Sequence, residues 1–212
     1  YSGRWILSGV VTDEGFALSE RQVTATIGTQ SFVGTIDISK SSEYLKTKRV
    51  RIVAGANGWQ KTITHQAFHN DAGVKKFTIA KALAKAAGEQ LGDEPSDKVG
   101  PDWGWKDDQA SKILGSMFPD WYVGFDGKTY TSARSSVAQG KDIEALNYDR
   151  ESNMVSLAVY ETVPVPGMTI TDERFGTLAI RSFTLLASGD SITASAWFVP
   201  AGATKLAAAV RS

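Results

Sequence analysis

The side chains best equipped for chemistry in this chain are few and widely spaced. His65 and His69 are the only histidines, in Thr64-His65-Gln66-Ala67-Phe68-His69. On a helix that spacing could grip a metal ion. The flanking pattern is that of a strand or loop, which sets the two rings about 13 Å apart. Asp71 is the nearest acid, and hydrogen-bonded surface histidines are the plainer expectation. Paired carboxylates occur at Asp13-Glu14, Asp93-Glu94, Asp107-Asp108 and Asp172-Glu173. Glycoside hydrolysis needs two carboxyls facing one another about 5–10 Å apart. These four pairs sit at turns or a helix start, where loop solvation or capping accounts for them. The chain has no G-x-S-x-G elbow and no Gly-rich phosphate loop, and Ser188-Gly189-Asp190-Ser191 reads as a hairpin turn. With no cysteine, thiol catalysis, disulfides and Cys-ligated zinc are excluded. The expectation is a protein without catalytic residues, metal or cofactor.

Two other clusters bear on binding. Trp103-Gly104-Trp105, with Trp121 and Tyr122, could stack on sugar rings or bases, or could form the core of a small α+β segment. The core reading is the expected one. Lys46, Lys48, Arg49 and Arg51 fall within six residues. On a strand, Lys48, Val50 and Ile52 share one face, while Arg49, Arg51 and Val53 share the other. Edge-strand protection or a subunit contact is expected ahead of a phosphate-facing surface.

Composition narrows the partners. The 212 residues include 23 Lys and Arg against 23 Asp and Glu, for zero formal charge. A general nucleic-acid binder would show a basic excess, and the balance fits a protein held within an assembly. A chain of this length buries roughly 70% of its unfolded surface without staples. No apolar run approaches the roughly 20 residues of a membrane span. The start, Tyr1-Ser2-Gly3-Arg4, lacks both Met and a signal-type apolar run, so the numbering is expected to begin inside a longer product.

The elements that would position these residues are mostly strands. Trp5–Val11, Arg21–Ile27, Ser31–Ile38 and Arg49–Ala54 read as strands, and Ala56-Asn57-Gly58 as a hairpin turn into an alternating strand, Trp59–Phe68. Thr78–Leu91 predicts a helix capped by Thr78 and Gly92, with Gly88 inside it at a cost of about 1 kcal/mol. Asp107–Phe118 predicts a second helix, and Trp121–Thr131 a hairpin. Strands return at Ile143–Tyr148, Met154–Tyr160, Leu178–Ala187 and Ser191–Val199. The last two carry apolar residues at both parities, the pattern of strands packed on both faces. In that setting Arg181 needs a partner, Asp172 or Glu173. The count is about eleven strands and two helices. The tail Leu206–Val210 is too short to assign, and no repeat is visible.

The fold class expected is mainly β with a small α+β insertion. Residues 1–76 form a first barrel-like region, 77–139 the insertion of two helices and a hairpin, and 140–212 a second barrel-like region. The segment order resembles the baseplate hub proteins of phage tails, related to the hub part of type VI secretion spikes. The resemblance runs from about Trp5 to Phe198. It rests on Gly58-Trp59, the Thr78-Ile79…Leu83-Ala84…Ala87-Gly88-Glu89 helix, Trp121-Tyr122-Val123…Asp126-Gly127-Lys128-Thr129-Tyr130 and Arg134. It continues through Pro166-Gly167-Met168, Ile180–Leu185 and Ser191–Trp197. It implies two barrel-like domains of tail-hub type per subunit and a homotrimeric, pseudo-sixfold ring joining tail tube to spike. The ring would line the ejection channel, with DNA only in transit. The implied location is the virion, at the tail tip or baseplate, after synthesis in the bacterial cytoplasm. The implied partners are the chain itself and tail-tube, distal-tail and spike or fibre proteins. Lys48, Arg49, Arg51, Arg181 and Trp197 are the expected subunit-interface residues. Two alternatives stand beside this reading: a hexameric distal-tail or tube-like component, and a carbohydrate-binding or cell-wall-degrading tail module using Trp103, Trp105 and Trp121.

Overall fold

The computed structural model describes residues 3–12, 15–134, 143–160, 162–188 and 191–200. The Asp13-Glu14 pair, the Gly189-Asp190 turn and the tail Leu206–Val210 lie outside them. The chain is mainly β, 48% strand against 14% helical, with two curled half-barrel sheets. It divides into two compact units, one drawn from Tyr1–Ala25 and Ser31–Ala133, the other from Thr26–Gln30 and Arg134–Ser212.

The first five-stranded sheet comprises β1 (Ile6–Val11), β2 (Gln22–Ile27), β3 (Gln30–Ile36), β4 (Ser42–Tyr44) and β5 (Thr47–Ala54). Its order is β1-β5-β3-β2, with β4 also on β5. The basic strand is therefore central rather than an edge, which overturns edge protection as the reason for its charges. Ile36, Val50 and Ile52 are buried on the inner face, with Leu7, Val11, Val23 and Ala25 packed around them. Period-2 alternation along β1 and β2 supplies that layer.

The next segment departs from the expected strand at Trp59–Phe68. Asn57 is left-handed (φ 59°) and leads into a 3-10 turn at Gly58–Gln60. Two short strands follow, β6 (Thr62–Ile63) and β7 (Gln66–His69). Gly58 has a steric cause: a Cβ there would lie 1.9 Å from the Ala87 carbonyl oxygen. Only glycine fits that close approach, and the next residue, Trp59, is fully buried.

Helix α1 (Lys76–Ala87) buries Ile79, Ala80, Leu83, Ala84 and Ala87, one stripe at i, i+4, i+8. It starts after Lys75, without a Thr78 cap, and stops at Gly88 (φ 81°), whose N–H reaches the Ala84 and Lys85 carbonyls. Gly88 is therefore the terminator, and Gly92 has no capping part, because the first glycine to reach the left-handed region ends the helix. Next come β8 (Asp102–Trp105) and β9 (Asp108–Gln109), which pair with β7 and β6 respectively. Since Asp108-Gln109 is used as strand, α2 runs only over Ala110–Met117. The hairpin expected at Trp121–Thr131 is present as β10 (Tyr122–Val123) and β11 (Thr129–Tyr130). One core joins Ala54, Trp59 and Ile63 to Ile79, Leu83, Leu114, Trp121 and Val123. The middle segment thus shares its interior with residues before position 77.

The second five-stranded sheet comprises β12 (Ile143–Asp149), β13 (Met154–Val159), β14 (Thr169–Asp172), β15 (Gly176–Ser188) and β16 (Ser191–Pro200), in the order β12-β13-β16-β15-β14. A turn at 150–153 joins β12 to β13. Asp149 accepts from the Glu151 and Ser152 N–H groups and Asn153 is left-handed (φ 50°). The register of β15 on β16 shifts between Ile180 and Ser182. Leu178 and Ile180 face the core before that bulge, and Phe183 and Leu185 face it afterwards. The mixed apolar parity of Leu178–Ala187 thus records a face switch at Arg181, not a strand packed on both sides.

A second bulge, between Ala145 and Asn147 of β12, frees carbonyls at the opposite edge of this sheet. Arg174, in the β14–β15 turn, fills that need. It donates to the Leu146 carbonyl at 2.9 Å and the Ala145 carbonyl at 2.5 Å, and it chelates Asp172 through Nε and NH2, each at 2.8 Å. Phe175 packs on Tyr148 beside it, with centroids 5.0 Å apart. The two edge strands are tied across the curl by one guanidinium. Asp172 is accordingly taken by Arg174 rather than by Arg181.

This clamp has a pH signature. Hydrogen bonding from Arg174 holds the Asp172 carboxyl down to about 2, against about 3.9 for an unstructured Asp. Its contribution is complete above about pH 4 and is lost as pH falls through about 2, because the unfolded chain then binds the extra proton. We expect the unfolding midpoint to fall between those limits, and Arg174→Gln to flatten that fall. Thermal scans by near-ultraviolet circular dichroism check it; parallel pH profiles for both proteins would refute the clamp.

Candidate interaction surface

The polar groups that suggested chemistry have structural partners. The His65 backbone N–H donates to Asp107 Oδ1 at 2.6 Å, with the ring Nδ1 3.4 Å from the same oxygen. His69 Nδ1 lies 2.6 Å from Asp102 and Nε2 3.3 Å from Asp71, and the Asp102 hydrogen bond raises the imidazole above its ordinary range. Among the described residues no three of His, Asp or Glu converge as metal ligands. Burial would raise Asp93, but hydrogen bonds from Ser132 and Thr131 outweigh it and hold the carboxyl low. Asp108 pairs with Lys112 at 3.4 Å.

Glu89, which the sequence does not single out, is buried, and its carboxylate accepts from the Ala56 N–H at 3.0 Å and the Gly58 N–H at 2.6 Å. Burial pushes it up despite those bonds. It braces the loop that carries Trp59.

The tryptophan group is mostly interior. Trp105 and Trp121 are buried, Trp105 donating to the Thr64 carbonyl and Trp121 packing on Trp59 with centroids 5.7 Å apart. Trp103 is half-buried against Phe68 and Trp105. A flat stacking platform made of all three is not present, because Trp103 and Trp105 meet edge to face while Trp121 packs on Trp59 in the core.

The basic strand splits as its parity predicts. Lys48 is on the inner face, its amine donating to the Phe16 carbonyl and 3.7 Å from Glu43. Arg49 and Arg51 are on the outer face. Arg51 is half-buried, its Nε 3.9 Å from Asp37, and Arg49 is exposed. The register sets Val10 and Ser42 on either side of Arg49, Ser8 opposite Arg51 and Tyr44 opposite Thr47. Ile6, Val10 and Tyr44 therefore share the face of Arg49, and they are 54%, 61% and 78% exposed. Leu45, exposed and left-handed (φ 54°), adjoins them at the β4–β5 turn. Branched, aromatic and guanidinium groups on one open face form the composition of a protein contact. Along Ile6–Val11 exposed and half-buried residues alternate, which places Ile6 and Val10 on the open face.

On the second sheet Trp197 lies opposite Met154 and Ser182, half-buried on the outer face. Leu186 is on the same face and exposed, and Arg181 is exposed at the bulge. No helix among the described residues is long and apolar enough to cross a membrane.

No known family model matches the chain, and no curated protein matches it significantly.

Proposed function

We propose that the chain is a non-catalytic structural subunit of a phage tail hub. In this reading three copies form a pseudo-sixfold ring between tail tube and spike, around the ejection channel. The observation that carries it is the pair of curled five-stranded antiparallel sheets in one chain. Two five-stranded sheets per subunit, though of different strand order, would let three chains present six, which is the arithmetic an adaptor between sixfold and threefold neighbours requires. The exposed face with Ile6, Val10, Tyr44 and Arg49 supplies the contact, and the outer face with Trp197 and Leu186 a second one. Class averages of negatively stained particles should show rings of threefold symmetry with six lobes. Rings with six identical chains would transfer the reading to a distal-tail or tube component.

A further inference from the structure

Apart from that assembly, unit 1 holds a cavity of about 380 Å³ lined by Phe68, His69, Asn70, Val74, Lys75 and Lys98, among others. The size falls in the range of small-molecule sites, roughly 300–1,000 Å³. Its polar lining is unbalanced. Lys75 and Lys98 are directly opposed across an antiparallel bridge, held by the Val99 N–H to Val74 carbonyl bond (2.9 Å) and the Lys76 N–H to Asp97 carbonyl bond (2.8 Å). Like charges at such positions repel.

The neighbouring carboxylates are engaged elsewhere. Asp97 takes Lys76 at 3.3 Å, while Asp71 and Asp102 bracket His69. Lys98 Nζ donates once, to the Ala72 carbonyl at 3.1 Å. Among the described residues neither Lys75 nor Lys98 has a carboxylate within ion-pair distance. Beneath them Val74 is buried and Phe68 half-buried, giving an apolar floor.

We propose that this cavity binds a small oxyanion, a phosphate or carboxylate carried on a compact apolar body, with Lys75 and Lys98 as its two cationic contacts. An oxyanion between the ammonium groups turns their repulsion into two charge-assisted hydrogen bonds. An attached ring would lie on Phe68 and Val74.

The test is an amide-resolved NMR titration of the full chain with inorganic phosphate, phenyl phosphate and benzoate, at matched ionic strength. Saturable shifts at Val74–Thr78 and Lys98–Val99 are expected, tightest for phenyl phosphate. Tighter binding of benzoate would assign the carboxylate form of the same site. Lys75→Gln and Lys98→Gln should each weaken binding about tenfold, as loss of one charge-assisted contact does, while Lys85→Gln leaves it unchanged. Lys75→Gln should also raise the thermal midpoint in anion-free buffer by removing the repulsion. Shifts that never saturate, or affinity unchanged from the parent in the Lys75 and Lys98 variants, would overturn the proposal. So would a lowered midpoint for Lys75→Gln.

Discussion

Trp59→Ala should cost the first unit about 3–5 kcal/mol, the range for emptying a buried aromatic site. Trp59 is fully buried, packs on Trp121, and donates its indole N–H to Thr129 Oγ1 at 2.8 Å. Thr129 is itself fully buried, and its backbone bonds the Gln90 carbonyl and the Gly92 N–H. Alanine removes the ring that joins the 3-10 turn to the two helices and leaves a buried hydroxyl without its donor. Against a total stability of about 5–15 kcal/mol, that loss is a third or more. Trp59→Phe separates the two contributions: it keeps most of the ring and forfeits the hydrogen bond, for about 1–3 kcal/mol. Urea unfolding followed by tryptophan fluorescence gives both values. A loss under about 1 kcal/mol for Trp59→Ala would show that the site collapses and that Trp59 is no keystone.

Tyr44→Ala and Val10→Asp should break the assembly while leaving each chain folded. Both residues are exposed in the single chain, so neither change opens a core. At an interface, truncating a central aromatic costs at least about 2 kcal/mol, roughly thirtyfold in dissociation constant. An aspartate in the apolar patch adds an unpaired charge to the buried contact. Sedimentation velocity across a dilution series should move both variants to single chains at concentrations where the parent and a Lys85→Ala control stay associated. Unchanged association in both variants would remove this face from the contact.

The strand-rich class and the inner layer of the first sheet were legible, because period-2 alternation states which side of Val23, Ala25, Val50 and Ile52 is buried. The stripe in α1 was equally plain, but its end was not. Gly88 and Gly92 are both competent caps in sequence, and the helix ends at the first because Gly88 takes the left-handed conformation, with Glu89 next to it accepting from the Ala56 and Gly58 N–H groups. The bulge at Arg181 was misread for a related reason: one extra residue reverses facing, so a single-faced strand imitates one packed on both sides. Glu89 and Arg174 could not be found in advance. Their partners are backbone groups of loops and bulges, 31–33 and 28–29 residues distant in the chain, and backbone groups leave no residue-type signal. Among the expected interface positions, parity separated Lys48 from Arg49 without saying which faces inward, and Lys48, expected at the interface, is buried beneath the sheet. The apolar neighbours that give Arg49 its setting emerged only when register joined β1, β4 and β5.

The most direct test of the account is the mass of the unmodified chain by sedimentation equilibrium at micromolar concentration. The account predicts three times the monomer mass, falling to one in Tyr44→Ala. A single-chain mass for the parent across the whole concentration range would contradict it.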